Sequence, residues 1–166
     1  MIENKVVFLR KINQKDHDLY TQIYTNEKLM EFVSPVLSGE SAKRSFDIVL
    51  RKMSLSPPTL LLYVIQSKTL KSNIGVIGLR WNPSSNSQVE VGVIVLSKFQ
   101  RHGFAHHSKS LLMNYAFQKF PIKSIFAICD KDNRAANKAN KKLGFIISNQ
   151  INKQNNQEKI VWTIKK

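Results

Sequence analysis

The chain has a single cysteine, Cys129, among its 166 residues. It can therefore form no internal disulfide, and it has no cysteine-based zinc cluster. Acidic residues are scarce: 11 Asp and Glu stand against 26 Lys and Arg, for a net charge of +15 and a pI near 10.1. Long apolar runs are missing as well. The longest, Thr59–Ile65 and Val89–Leu96, are strand-sized, well short of the roughly 18–20 residues of a membrane-spanning helix. The opening Met1-Ile2-Glu3-Asn4-Lys5 lacks the charged-then-apolar layout of a signal peptide. No segment repeats, and no Gly/Ser or proline linker divides the chain. These absences lead us to expect one cytoplasmic domain over residues 1–166, without a membrane partner.

What is present suits a folded protein. Hydrophobic residues make up 42%, enough for a real core, and charged residues 22%, too few for a disordered chain. The basic excess attracts polyanions: nucleic acid, ribosome, anionic lipid or a phosphorylated cofactor. A lysine- and asparagine-rich composition with solvated lysines accounts for it equally well. The acids are informative by position. Nine of the eleven lie in Glu3–Asp47 or at Asp130 and Asp132, and Glu158 sits near the end. Between Ile48 and Cys129 the only carboxylate is Glu90.

Periodicity and turn residues outline the elements. Val6–Arg10 reads as a strand, and Lys15–Tyr24, Glu27–Phe32 and about Ser41–Met53 as helices. Leu60–Gln66, Asn73–Trp81 and Val89–Leu96 read as strands, the last with Val89, Val91, Val93 and Val95 on one face and Glu90, Gly92, Ile94 and Leu96 on the other. Asn82–Ser87 is expected to be a loop between strands. His106–Phe120 reads as a helix, Ser124–Cys129 as a strand and Arg134–Lys142 as a short helix stopped by Gly144. Phe145–Ile151 and Lys159–Ile164 would form a closing antiparallel pair, with the polar stretch Ser148–Gln157 as a long hairpin connection. The result is an α/β (α+β) mixed sheet with helices on its faces.

The segment with chemical content is the Val89–Leu96 strand, then Gln100-Arg101-His102-Gly103-Phe104-Ala105, then a helix. A strand that enters a glycine turn ahead of a helix N-terminus forms an anion cradle. Backbone N–H groups converge there, and the helix dipole adds positive potential. Gly103 and the small Ala105 permit close approach, and Arg101, His102, His106 and His107 add donors or charge. Spacing alone does not separate this cradle from an ordinary strand–helix turn. It is not a P-loop, because no Gly-Lys-Ser/Thr follows, and it lacks the three-glycine dinucleotide fingerprint.

Val93-Ile94-Val95 followed, after four residues, by Gln100-Arg101-His102-Gly103-Phe104-Ala105 resembles the acyl-CoA-binding motif of the GNAT acetyltransferase superfamily. Asn133-Arg134-Ala135-Ala136 leading to Lys141-Lys142-Leu143-Gly144-Phe145 resembles a second segment of the same family, about thirty residues downstream. Val7-Phe8-Leu9-Arg10-Lys11-Ile12 with Asp16 is similar to the RimJ/RimL branch. The resemblance implies a GNAT-like domain with a mostly antiparallel central sheet and helices on both faces, using acetyl-CoA as co-substrate. It implies that Val93, Ile94 and Val95 pair with the pantetheine arm, and that the Val95 N–H polarises the thioester carbonyl. Gln100, Arg101, His102, Gly103, Phe104, Ala105 and His106 would wrap the pyrophosphate. Asn133 would bind the pantetheine, and Lys141, with Lys138 or Lys142 as alternatives, would reach the adenosine phosphates. Gly92 would mark a bulge that splays two strands apart.

Some positions depart from the family pattern. Where many members carry a tyrosine that protonates the departing thiolate, seven residues after the asparagine, this chain has Asn140. Glutamates found elsewhere in the RimJ/RimL branch are His107 and Ile128 here. Glu90, early on the cofactor strand, is the candidate base, and pairing with a lysine or an amide is its structural alternative. Cys129 and Tyr115 read as core. Trp81 and Phe32 are weaker candidates for lining an acceptor pocket. His102, His106 and His107 lack nearby acids or cysteines, so no metal site is expected. The expected activity is acetyl transfer from acetyl-CoA to a primary amine on a small molecule or peptide, by direct attack in a ternary complex, in a monomer or homodimer. The alternative is a basic nucleic-acid or ribosome-binding module with a degenerate acyl-CoA site.

Overall fold

A computed structural model describes residues 2–82, 84–154 and 157–166. The chain runs β1 (Ile2–Glu3), β2 (Val7–Lys11), α1 (His17–Tyr24), α2 (Glu27–Met30), α3 (Gly39–Met53), β3 (Leu60–Ser67), β4 (Ser72–Asn82), β5 (Ser85–Val95), α4 (Phe104–Lys119), β6 (Ser124–Asp130), α5 (Arg134–Lys142), β7 (Ile146–Gln154) and β8 (Gln157–Lys165). Eight strands form one sheet in the order β1-β2-β3-β4-β5-β6-β8-β7. Every neighbouring pair is antiparallel except β5 and β6.

Strand alternation divides the core between the two faces of the sheet. Leu61, Tyr63 and Ile65 of β3 join Ile77, Leu79, Val89 and Val91 beneath Leu112, Met113 and Ala116 of α4. Leu62 and Val64 join Val76 on the opposite face, under Tyr20 and Ile23 of α1 and Phe46 of α3. Helix α3 repeats Ala42, Phe46, Val49, Leu50 and Met53 along its inner side, and its N-terminus is capped by the Ser38 side chain, which accepts from the Ser41 amide (3.2 Å).

At the start of α1, Asp16 is 5% exposed and accepts two hydrogen bonds from Arg10 (2.9 and 2.8 Å) and one from the Asn13 amide (2.8 Å). Burial raises the pKa of this carboxyl, but the bonds from Arg10 and Asn13 outweigh it and hold the pKa below its ordinary value. Ionised Asp16 therefore stabilises the fold above the unfolded carboxylate pKa of about 3.9, and this contribution is lost as pH falls through the lower folded value. Asp16→Asn is expected to cost about 2–3 kcal/mol at neutral pH. Thermal melts should show the gap between wild type and variant closing as pH drops below about 4.

The structure corrects several boundaries. Helix α4 begins at Phe104 rather than His106, because Gly103 adopts a left-handed φ of 78° and closes the turn ahead of it. The Asn82–Ser87 loop is mostly strand: Asn82 pairs with Ser85, and the β4–β5 register shifts between Trp81 and Asn82. Ser148–Gln157 is likewise no long connection, since β7 runs to Gln154 and pairs it with Gln157 of β8. β7 is the last strand of the sheet, where a one-sided edge tolerates a polar sequence that an inner strand would not. The residues between these two strands, 155–156, lie outside the described set. No helix among the described residues is long and apolar enough to cross a membrane.

Candidate active site

The parallel pair β5–β6 is short. Gln88, Val89 and Glu90 pair with Ser124, Ile125 and Phe126, and there the ladder ends. β5 continues along β4 to Val95, while β6 continues along β8 to Asp130. A gap thus opens in the sheet immediately after Glu90. Gly92 does not mark a bulge, for it pairs in regular register with Gly78, and a Cβ at Gly92 would meet nothing within 4 Å. The splay comes from divergence of β5 and β6 after three residue pairs, and Gly92 leaves open space beside it.

The backbone of β5 faces this gap. The Leu96 amide donates to the Ile74 carbonyl (2.9 Å), which makes Gly75–Val95 a non-hydrogen-bonded antiparallel pair. The amides of Val91, Val93 and Val95 therefore point away from β4, toward the side that β6 has left. The Val95 carbonyl accepts from the Gln100 side chain (2.9 Å), which ties the end of β5 to the following turn.

That turn carries two left-handed residues ahead of a helix N-terminus. Arg101 and Gly103 both have positive φ (66° and 78°), and His102 Nδ1 lies 2.7 Å from the Gln100 carbonyl, to which it donates. The first amide of α4 with a backbone acceptor is that of His107, bonded to the Gly103 carbonyl (3.0 Å). Among the described residues, none of the six amides from Arg101 to His106 has a backbone or side-chain acceptor. They lie at the positive end of a 16-residue helix. His106 has its pKa lowered by burial, then by the charges of Lys142 and His107, and its Nδ1 is buried without a partner. Lys142 thus lies within electrostatic reach of His106, and both it and Lys141 are exposed at the end of α5.

Glu90 sits at the point of the splay, 27% exposed, opposite Arg80 on β4 at 4.0 Å. Such a distance makes a loose ion pair rather than a hydrogen bond. Arg80 itself is largely exposed and acts electrostatically on Tyr20 and Tyr24 of α1. The Tyr24 hydroxyl is pushed far up by burial and by its stacking partner Tyr20, so it stays protonated. Glu90, Arg80 and Tyr24 thus belong to one polar neighbourhood on the α1 side of the sheet.

On the other side, Asn133 caps α5 by accepting from the Ala136 amide (3.0 Å), which leaves its amide NH2 available. Asn137 holds the splayed end of β6: its Nδ2 donates to the Asp130 carbonyl (2.8 Å) and its Oδ1 accepts from Trp162 (2.8 Å). Trp81 packs edge-on against Phe120 in the α4-side core, so it lies on the face away from Glu90's neighbours. Phe32 is half-buried in the turn after α2. Arg80, Asn137 and Lys109 escaped the sequence reading. Only Lys109 carried a signal there, at helical spacing from Leu112, Met113 and Ala116.

Residues 7–146 match the model of the acetyltransferase (GNAT) domain. The chain belongs to the GNAT acetyltransferase family. YoaA of Bacillus subtilis (strain 168), an uncharacterized N-acetyltransferase, is 23% identical over 146 residues, covering 87% of this chain and 82% of that one. YjdG of the same organism, also an uncharacterized N-acetyltransferase, is 27% identical over 88 residues, 53% of this chain and only 52% of that relative. Among solved structures, RimL, a ribosomal-protein alpha-N-acetyltransferase in complex with coenzyme A, superposes with a TM-score of 0.83 at 18% identity over 99% of this chain and 97% of its own. Spermidine N-acetyltransferase from Vibrio cholerae, in complex with coenzyme A and spermine, gives 0.82 at 16% identity over 98% and 96%. At such identities these structures establish a shared fold.

Proposed function

We propose that this protein transfers an acetyl group from acetyl-CoA to a primary amine. One observation carries the reading: an open strand edge, Val91–Val95, leads directly into six unpaired amides at Arg101–His106. An extended amide-bearing arm ending in a pyrophosphate suits that succession, since the edge offers strand-like pairing and the nest offers anion binding. Val93, Ile94 and Val95 take the arm, and Gln100 to His106 take the pyrophosphate. Asn133 adds a donor to the arm, and Lys141 and Lys142 add charge toward the adenosine phosphates. The Val95 amide, directed into the gap, stabilises the oxyanion formed at the thioester carbonyl.

Glu90 accepts a proton from the acceptor ammonium, directly or through water, and the free amine attacks the thioester in a ternary complex. The acceptor enters from the side where Glu90, Arg80 and Tyr24 lie. The acceptors named for two structural neighbours, a ribosomal protein and spermidine, are both amines. The net charge of +15 favours a second reading, in which the basic surface holds RNA or ribosome.

The nest is tested by Arg101→Glu, which sets a negative charge beside the pyrophosphate position. Calorimetry at moderate ionic strength is expected to show acetyl-CoA binding weakened at least tenfold, about 1.4 kcal/mol. Unchanged affinity would count against the nest as the phosphate site.

A further inference from the structure

Lys109 lies on the inner face of α4 and is 6% exposed, an uncommon position for a lysine. No carboxylate bonds it among the described residues. Its Nζ donates to Asn140 Oδ1 (2.5 Å) and stands 5.0 Å from the centre of the Phe145 ring. Asn140, itself 2% exposed, turns its Nδ2 to Cys129 Sγ (3.1 Å). Cys129 belongs to the part of β6 that β5 has left, so this chain of contacts reaches the gap from the α4 side. The groups that act on Lys109 electrostatically are Cys129 from β6 and Glu90 from β5. Burial lowers the Lys109 pKa to about 8, and Cys129 and Glu90 partly oppose this. An amine in that range exchanges its proton readily near neutral pH.

A buried cation without a counter-ion costs free energy. The cost is understandable where a negative charge arrives during the reaction. We propose that Lys109 supplies the acid of this acetyltransferase: its ammonium stabilises and then protonates the coenzyme A thiolate as it leaves, beside Asn140 and Cys129. The inference rests on the acetyl-transfer reading above. The acceptor ammonium first gives one proton to Glu90, and its nitrogen bonds to the carbonyl carbon. The carbon–sulfur bond then breaks, its electron pair goes to sulfur, and sulfur takes a proton from Lys109. The amide nitrogen releases its surplus proton through water to neutral Lys109, and Glu90 returns its own to solvent. The sum is one amide, one thiol and one proton.

The test titrates the bound thiol and needs no acceptor. In a Cys129→Ser background coenzyme A supplies the only thiol, so its ultraviolet thiolate absorbance can be followed against pH. Bound coenzyme A is expected to titrate about one unit below free coenzyme A, a tenfold higher thiolate ratio at a given pH. Lys109→Met should abolish that shift while the complex still forms. Should the methionine variant fail to fold, Lys109→Gln, which keeps a donor for Asn140, takes its place with the same expectation. A bound thiol that titrates like the free one, or a shift that survives loss of the lysine, overturns the role of Lys109 and leaves acetyl-CoA binding standing. No binding of coenzyme A to the wild type overturns the acetyl-transfer reading itself, and Lys109 with it.

Discussion

Glu90→Gln is expected to lower turnover by about a hundredfold or more, with acetyl-CoA affinity nearly unchanged. The substitution keeps the size of the side chain and removes its negative charge and its ability to accept a proton. Glu90 occupies the last paired position before the β5–β6 gap, and its partner Arg80, at 4.0 Å, is too far to bond it firmly. It is therefore free to take a proton from an approaching ammonium. Loss of turnover at constant cofactor affinity separates a base from a residue that shapes the cofactor site. The measurement is steady-state kinetics across pH on wild type and variant with a responsive amine. A variant that retains the full wild-type rate and pH profile would remove Glu90 from the chemistry.

Gly75→Ala is expected to be the most damaging small change in the sheet. A Cβ at Gly75 would come 2.2 Å from the Ile94 carbonyl oxygen and 2.9 Å from the Val95 Cα. Both are backbone atoms of the neighbouring strand, so no side chain can turn aside to make room. β5 must shift at the residues that present the Val95 amide to the gap. A loss of about 3 kcal/mol or more is expected, which for a domain of this size lowers the melting temperature by about 6–12 °C. Acetyl-CoA binding should weaken at least tenfold even below the melting transition, because the strand edge and the turn after it move together. The same substitution at Gly92 meets nothing within 4 Å and should leave stability within about 1 kcal/mol. Differential scanning calorimetry of the two variants side by side checks the contrast.

The parts of this molecule legible in its sequence are those governed by local rules. The alternation of valines in β5, the glycine turn at Gly103 and the asparagine-capped α5 over Arg134–Lys142 all follow from short-range sterics and hydrogen bonding, and α5 was read with its observed bounds. The two-residue strand β1 was missed because its pairing, Ile2 with Leu9 and Glu3 with Phe8, has no periodicity of its own. The polar segment after Ser148 reads as loop by composition, yet pairing with β8 makes it strand. The sequence points to Gly92 for the splay, while in the structure it follows from how soon β5 and β6 part company, which no single residue records. Lys109 was hidden by the general rule that lysines face water. Its burial depends on Asn140 and Phe145, 31 and 36 positions away in the chain, closing over it. Asn140, which stands where many family members carry a tyrosine, bridges Lys109 and Cys129, contacts that its spacing from Asn133 does not reveal.

Isothermal titration of the wild-type protein with acetyl-CoA, with ATP and a short RNA as controls at two salt concentrations, decides whether the β5–β6 gap and the turn before α4 form an acetyl-CoA site. Saturable one-to-one binding of acetyl-CoA that survives the higher salt is expected, because the strand edge contributes alongside the phosphate nest. Binding confined to RNA and fading with salt, with no heat from acetyl-CoA, would contradict it and place the function in the basic surface.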